Sequence, residues 1–299
     1  MMQHFAGERY WVTMTRLLAL TFVLLLNMQG SQMEAQQMEA AKREEKGGHP
    51  IVLRVVYDNN PGDDRLTTGW GFGCVVEGLP KTILFDTGGN GDILLGNMNK
   101  LDIMPDDIDL VVLSHIHGDH VGGLGEFLKQ NSDVSIFLPA AFPERFKMDV
   151  RATGAEVVET SKPQRICPGA FTTGVLGIGI KEQGIYVETA DGIVVITGCA
   201  HPGIVNITRA AKGNADKPVS AVLGGFHMGG ASEKKVSDVI RDLRELGVNK
   251  VGPCHCSGDR TRRMMKEAFG DNYMKLCVGG RITFAKPVAG NEQNQLLAQ

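Results

Sequence analysis

The 299-residue sequence has little net charge, −3 with histidines neutral, so it offers no broad basic field of the kind that holds nucleic acid. Six cysteines in a chain of this length are too few for a disulfide scaffold. Cys254 and Cys256 sit one residue apart, a ring too small for an unstrained bridge, so free thiols that pack are expected there. No internal repeat or low-complexity domain exists; the 38 glycines cluster at turns without a period, which excludes a solenoid. Long apolar runs are also missing: Leu17 to Leu26 is too short for a comfortable membrane span.

What is there divides into unequal parts. Arg9 and Arg16 ahead of Leu17–Leu26 read residues 1–30 as a signal peptide or N-terminal anchor, with Met14 as an alternative start. Residues 31–48, rich in Gln, Glu, Lys and Ala, read as a solvated linker, residues 49–288 as one globular domain and 289–299 as a disordered tail. The expected location is therefore outside the cytoplasm, periplasmic or secreted, with membrane attachment only if the signal stays uncleaved. With 42% hydrophobic and 22% charged residues, the domain can bury a substantial core.

The densest chemistry lies in Ser114-His115-Ile116-His117-Gly118-Asp119-His120, directly after the apolar run Leu110-Val111-Val112-Leu113. That run predicts a buried strand. If the chain stays extended past its end, alternate spacing sends His115 and His117 to one side, while Gly118 permits a turn that aims Asp119 and His120 at a second position. A lone histidine is more often a surface or hydrogen-bonded residue than a ligand; four ligand-type residues in six positions point to a metal. The eight histidines add weight: apart from His4 and His49, all of them (His115, His117, His120, His201, His227 and His255) fall at or just after predicted strand ends. Open α/β sheets gather ligands at such ends.

The remaining pattern predicts strands near 51–57, 72–77, 82–85, 134–138, 156–159, 219–223, 250–252, 274–278 and 282–284, and a hairpin of 186–189 with 193–197 across Ala190-Asp191-Gly192. Helices are predicted near 92–101, 126–130, 141–152, 204–211, 233–246 and 260–269, with Ser232 as an N-cap and Gly247 as a stop. The loops 58–68 and 142–151 are expected to wall the pocket.

The loop His115, His117, Asp119, His120 matches, residue for residue, the H-x-H-x-D-H motif of the metallo-β-lactamase superfamily, which the chain resembles over roughly residues 50 to 286. Phe85-Asp86-Thr87-Gly88 resembles the family's early strand-end motif, in which Asp86 would support the metal loop from behind. Thr197 to Gly203, Gly224-Gly225-Phe226-His227, Pro253 to Gly258 and Phe137 to Pro143 resemble the branch of dihydropterin ribofuranosylaminobenzene-phosphate synthase-like proteins. The resemblance implies an αββα sandwich of two mixed β-sheets with helices on the outer faces. It further implies two ions per chain, Zn2+ by preference with Mn2+ or Fe as alternatives, one held by His115, His117 and His201 and the other by Asp119, His120 and His255. Two departures stand out: no histidine lies between His120 and His201, and Cys199 stands where many relatives carry a bridging aspartate. Cys199 as a thiolate or His227 could fill that role, with His227 ranked first as ligand or substrate contact. The implied chemistry is hydrolysis of an ester, lactone, amide or phosphodiester in a small-molecule substrate, by a metal-bound hydroxide with Asp119 handling its proton. A pterin-type synthase or transferase, and a non-catalytic metal-binding protein, are the alternatives. No residue reveals the oligomeric state.

Overall fold

In the computed structural model, residues 49–287 are described. The segments read as signal or anchor (1–30), linker (31–48) and tail (289–299) lie outside the described residues. Among the described residues no helix is long and apolar enough to cross a membrane.

The strands are β1 (Ile51–Asp58), β2 (Phe72–Glu77), β3 (Ile83–Phe85), β4 (Leu110–Val112), β5 (Ser135–Pro139), β6 (Glu156–Thr160), β7 (Arg165–Cys167), β8 (Ala170–Thr172), β9 (Ile185–Thr189), β10 (Gly192–Thr197), β11 (Val219–Gly225), β12 (Lys250–Cys254) and β13 (Arg281–Phe284). The helices are α1 (Gly91–Lys100), α2 (Gly118–Val121), α3 (Leu124–Gln130), α4 (Glu144–Arg151), α5 (Ile204–Ala215), α6 (Glu233–Glu245) and α7 (Asp259–Phe269). The strands form a seven-stranded sheet ordered β13-β1-β2-β3-β4-β5-β6 and a six-stranded sheet ordered β12-β11-β10-β9-β8-β7. Both are mixed: β3 to β6 run parallel beside antiparallel β1, β2 and β13, and β10 to β12 run parallel beside antiparallel β7 to β9.

Period-two alternation explains the layering. Ile83 and Phe85 of β3 and Val194 and Ile196 of β10 bury into the space between the sheets, where they meet Val112, Phe137, Ile185 and Leu223. Their neighbours Leu84, Val111 and Ile136 point the other way, against Leu94 and Met98 of α1 and Leu124 and Phe127 of α3. On the far side Ile193, Val195 and Val222 pack on Ile207 of α5, Val236 and Leu243 of α6 and Met265 of α7. Both faces of each sheet are thus apolar and covered, which is the αββα sandwich expected from the sequence; each fully buried side chain of this kind contributes about 1.5–3 kcal/mol.

Asn90 caps α1 by accepting from Ile93 N (3.0 Å), and Ser232 caps α6 by accepting from Lys235 N (3.3 Å). One expected strand, 274–278, is absent. There Met274 N donates to Val251 O (2.8 Å) and Val278 N to Asn60 O (3.1 Å), two partners too far apart in the fold to form a ladder, although Leu276 and Val278 are buried. The short strands β7 and β8, joined by Pro168-Gly169, are too brief to leave a periodic signal. Segment 142–151 is a helix whose Phe142 and Val150 belong to the outer-layer core, so its buried side does not wall a pocket.

Candidate metal centre

All the suspected residues converge because they leave the carboxyl ends of strands. β4 delivers His115 and His117, β10 delivers Cys199 and His201, β11 delivers His227, and β12 delivers His255 and Cys256. The turns that do this are unusual. Six non-glycine residues of the described chain have positive φ, and four of them lie here: Asp86 (55°), Ala200 (61°), His227 (49°) and His255 (44°). Such conformations cost free energy and persist where surrounding structure imposes them.

Three donor groups result, the donor atoms in each lying within 4.8 Å of one another: His115, His117 and His201; Asp119, His120, Cys199 and His255; and Cys199, His227 and Cys256. The first two bring together the sets that the resemblance implied. Cys199 joins the second, with its Sγ 3.2 Å from His120 Nε2, and is common to two groups, whereas His227 reaches one. Both residues that could fill the bridging role, His227 and Cys199, thus stand in a donor group. Asp119 Oδ2 lies 3.2 Å from His255 Nε2 and 3.6 Å from His120 Nε2.

The outer nitrogens decide which imidazole lone pairs face inward. Asp86, fully buried, accepts from Ser114 N (2.7 Å), from Ser114 Oγ (2.7 Å) and from His120 Nδ1 (2.7 Å). Since Ser114 Oγ gives its proton to Asp86, it accepts from His115 Nδ1 (2.9 Å), and Asn59 Oδ1 accepts from His255 Nδ1 (2.9 Å). His115, His120 and His255 are thereby set in tautomers whose Nε2 atoms are unprotonated acceptors aimed at the centre, as metal-binding imidazoles require. At the centre His115 Nε2 lies 3.2 Å from His117 Nδ1 and His120 Nε2 3.2 Å from Cys199 Sγ, while the buried Nε2 atoms of His201 and His255 have no hydrogen-bond partner. Converging imidazole donors with two buried nitrogens left unpartnered fit divalent cations, so the residues present suit the ions that such a donor set implies.

The electrostatics agree. Burial, followed by the neighbouring imidazoles of His120, His201 and His117, drives the His115 pKa far down, and burial with His227 and His117 brings His201 to about 4. Both stay neutral, the ligand form. Burial pushes His120 down as well, but the Asp86 charge and hydrogen bond outweigh it and raise the net value. For Asp119, burial raises the carboxyl, yet the neighbouring His255 and His120 outweigh it and hold it at about 2.

Several contributors carry no sequence motif. Glu182 is fully buried and accepts from the backbone N–H groups of Cys199 (2.9 Å), Ala200 (2.7 Å) and His201 (2.7 Å), pinning the loop that presents two donors. Burial raises its pKa against the pull of these three bonds. Asp58 accepts from His255 N (3.3 Å), and the exposed Trp70 ring packs 4.9 Å from the His255 ring. Gly198 has to be glycine, since a Cβ there would run into Ser114 Oγ and sit 2.7 Å from Asp86 Oδ2. All six cysteines are free, Cys254 and Cys256 among them, but Cys256 stands among donors rather than serving only to pack.

Comparison with known proteins places these features in context. A model of the metallo-beta-lactamase superfamily matches residues 75–255. A 7,8-dihydropterin-6-methyl-4-(beta-D-ribofuranosyl)-aminobenzene-5'-phosphate synthase of Methanocaldococcus jannaschii is 31% identical over 252 residues, covering 69% of this chain and 86% of that one. Among solved structures, Tm1679, described as a metal-dependent hydrolase of the beta-lactamase superfamily, superposes with a TM-score of 0.67 at 26% identity, covering 79% of this chain and all of the other. The metallo-beta-lactamase fold protein YhfI of Bacillus subtilis has a TM-score of 0.59 at 15% identity over 79% of this chain and all of its own, a likeness of fold alone.

Proposed function

The chain belongs to the metallo-beta-lactamase superfamily, and on that premise we propose that it is a metal-dependent hydrolase of a small-molecule ester, lactone, amide or phosphodiester. The observation that carries the reading is the convergence of His115, His117 and His201, and of Asp119, His120 and His255, with the donor atoms of each set within 4.8 Å of one another. His115, His117 and His201 would hold one ion and Asp119, His120 and His255 a second, with zinc suited to imidazole-rich donors and manganese or iron as alternatives. When bound, such ions lower the pKa of a shared water toward about 7 and polarise the electrophilic oxygen of a substrate.

The chain's own residues do the rest. The Asp119 carboxylate, partly exposed and ionised, is placed to accept a proton from the attacking water and pass it toward the leaving group. Asp86, Ser114 and Asn59 hold the imidazoles in their tautomers, and Glu182 fixes the 199–201 turn. Trp70 offers a flat exposed face beside His255 on which an apolar portion of substrate can rest. Export through residues 1–30 is part of the proposal, and cell fractionation tests it.

The 31% identity to the pterin-ribofuranosyl synthase supports a second reading, a transferase. An export signal argues against it, because phosphoribosyl donors and pterins are cytoplasmic. Metal analysis of the purified protein, with and without His115→Ala and His255→Ala, and a panel of phosphodiester, thioester, lactone and amide reporters separate the readings. We expect turnover of at least one reporter, and fewer ions per chain with loss of turnover in the variants. A metal-loaded protein inert on the whole panel overturns the hydrolase.

A further inference from the structure

We propose that Cys199, His227 and Cys256 form an additional, thiolate-containing metal site on the flank of the imidazole centre, suited to a thiophilic d10 ion such as Zn2+. Their donor atoms lie within 4.8 Å of one another, and the set contains two sulfurs and one nitrogen, unlike either neighbouring group. Soft sulfur donors select different ions from nitrogen and carboxylate, so the two chemistries need not compete for one metal. Three protein donors of the Cys2His kind leave a fourth tetrahedral position for water or a ligand.

The backbone is arranged around this cluster. His227 N donates to Cys256 Sγ (3.3 Å), and Cys256 Sγ lies 3.7 Å from Cys199 O. A Cβ on Gly225 would meet Gly198 O at 2.2 Å and Cys256 Sγ at 2.9 Å, so glycine lets the end of β11 approach both the 198–199 backbone and the thiol. His227 holds a left-handed conformation, and its ring lies 4.2 Å from the His201 ring at a tilt of 50°. Both cysteines are buried and the His227 ring is exposed, so the cluster is closed on its sulfur side and reachable from the side of the imidazole. Cys199 is shared with the Asp119, His120 and His255 group, and loading both would make its sulfur common to the two. The proposal does not rest on hydrolase activity.

The test is anaerobic titration of the reduced, metal-free full chain with Co2+, followed by the near-ultraviolet thiolate-to-cobalt charge-transfer absorption and by ions bound per chain. The wild type should develop the band, and His115→Ala should retain it. Cys256→Ser should lose most of it. His227→Ala, which changes an exposed ring and so leaves folding intact, should bind one ion fewer and need ~10-fold or more Co2+ to reach the same band. A folded wild type without the band overturns the proposal. So does a band undiminished in Cys256→Ser or, should that variant fail to fold, in His227→Ala, because the sulfur signal would then come from Cys199 serving the neighbouring group alone. A wild type lacking two free thiols under mild non-reducing conditions, with the band absent after full reduction, assigns the pair to a disulfide and overturns it as well.

Discussion

Replacing Glu182 with glutamine tests whether the centre is built by a residue with no sequence motif. Oε1 accepts from Cys199 N (2.9 Å) and Ala200 N (2.7 Å), and Oε2 accepts from His201 N (2.7 Å). In Glu182→Gln the amide oxygen can keep the first two bonds, now neutral and about half as strong, while the amide nitrogen faces the His201 N–H with a donor against a donor. Losing one charge-assisted bond at a buried N–H costs roughly 1.5–3 kcal/mol. The opposing gain comes from removing a buried charge, whose burial already raises the Glu182 pKa. The net expectation is a destabilisation of about 2 kcal/mol, read from urea unfolding of the metal-free protein. The flipped amide would lose two bonds to keep one, so it offers no escape. Because the same turn presents Cys199 and His201, metal affinity measured by chelator competition should also fall ~10-fold or more. Destabilisation below about 0.5 kcal/mol with unchanged affinity would refute the reasoning, since surface-type substitutions produce no more than that.

Four further outcomes follow from the same geometry. Asp86→Ala leaves Ser114 and the His120 N–H buried without an acceptor and should cost about 3–5 kcal/mol, with His120 lost as a metal donor; a melting temperature equal to wild type would contradict this. Trp70→Ala removes an exposed ring, 62% accessible, so KM for a hydrolysed reporter should rise while metal content and melting temperature hold; a fall in metal content would show that Trp70 supports His255 instead. In the metal-free protein, His201 titrates at about 4 against 6.5 when unfolded, so the unfolded chain binds the proton first. Stability is then complete above pH 6.5 and falls as pH drops toward 4, with His115 acting in the same direction; equal unfolding midpoints at pH 7 and pH 4.5 would disprove it. Stripping metal with a chelator should lower the melting temperature, by about 5–10 °C for ions present at ~100 times Kd, and readdition should restore it.

Much of the fold was legible because both sheets obey simple period-two rules. Val194-Val195-Ile196 and Ile83-Leu84-Phe85 are apolar throughout since one set of side chains meets the other sheet and the next meets a helix. Segment 274–278 misled for a related reason: Leu276 and Val278 are buried like strand residues, yet the backbone bonds to two separate partners, and burial alone does not make a ladder. At the site, His115, His117, Asp119 and His120 announced themselves through spacing, and His201, His227 and His255 through their position after strands. Glu182 and Asn59 did not, because each acts on a segment distant in sequence, Glu182 on a loop 17 to 19 residues away and Asn59 on His255, 196 residues away. No local pattern encodes such a contact.

The cysteine at position 199 changes how charge is distributed around the centre. The first donor group is three imidazoles, and the second contains one carboxylate beside the Cys199 thiol, so with that thiol protonated two divalent ions would meet little direct negative charge. The balance is supplied from behind: Asp86 and Glu182 are both fully buried, one hydrogen-bonded to a donor imidazole and the other to the turn that presents His201. Neither carboxylate belongs to a donor group, yet each lies in low dielectric, where its charge acts over distance on whatever occupies the centre. With an aspartate in place of Cys199 the compensation would be local. While Cys199 keeps its proton, the compensation depends on two carboxylates of the supporting frame, so Asp86 and Glu182 are as much part of the centre's electrostatics as the residues that face it.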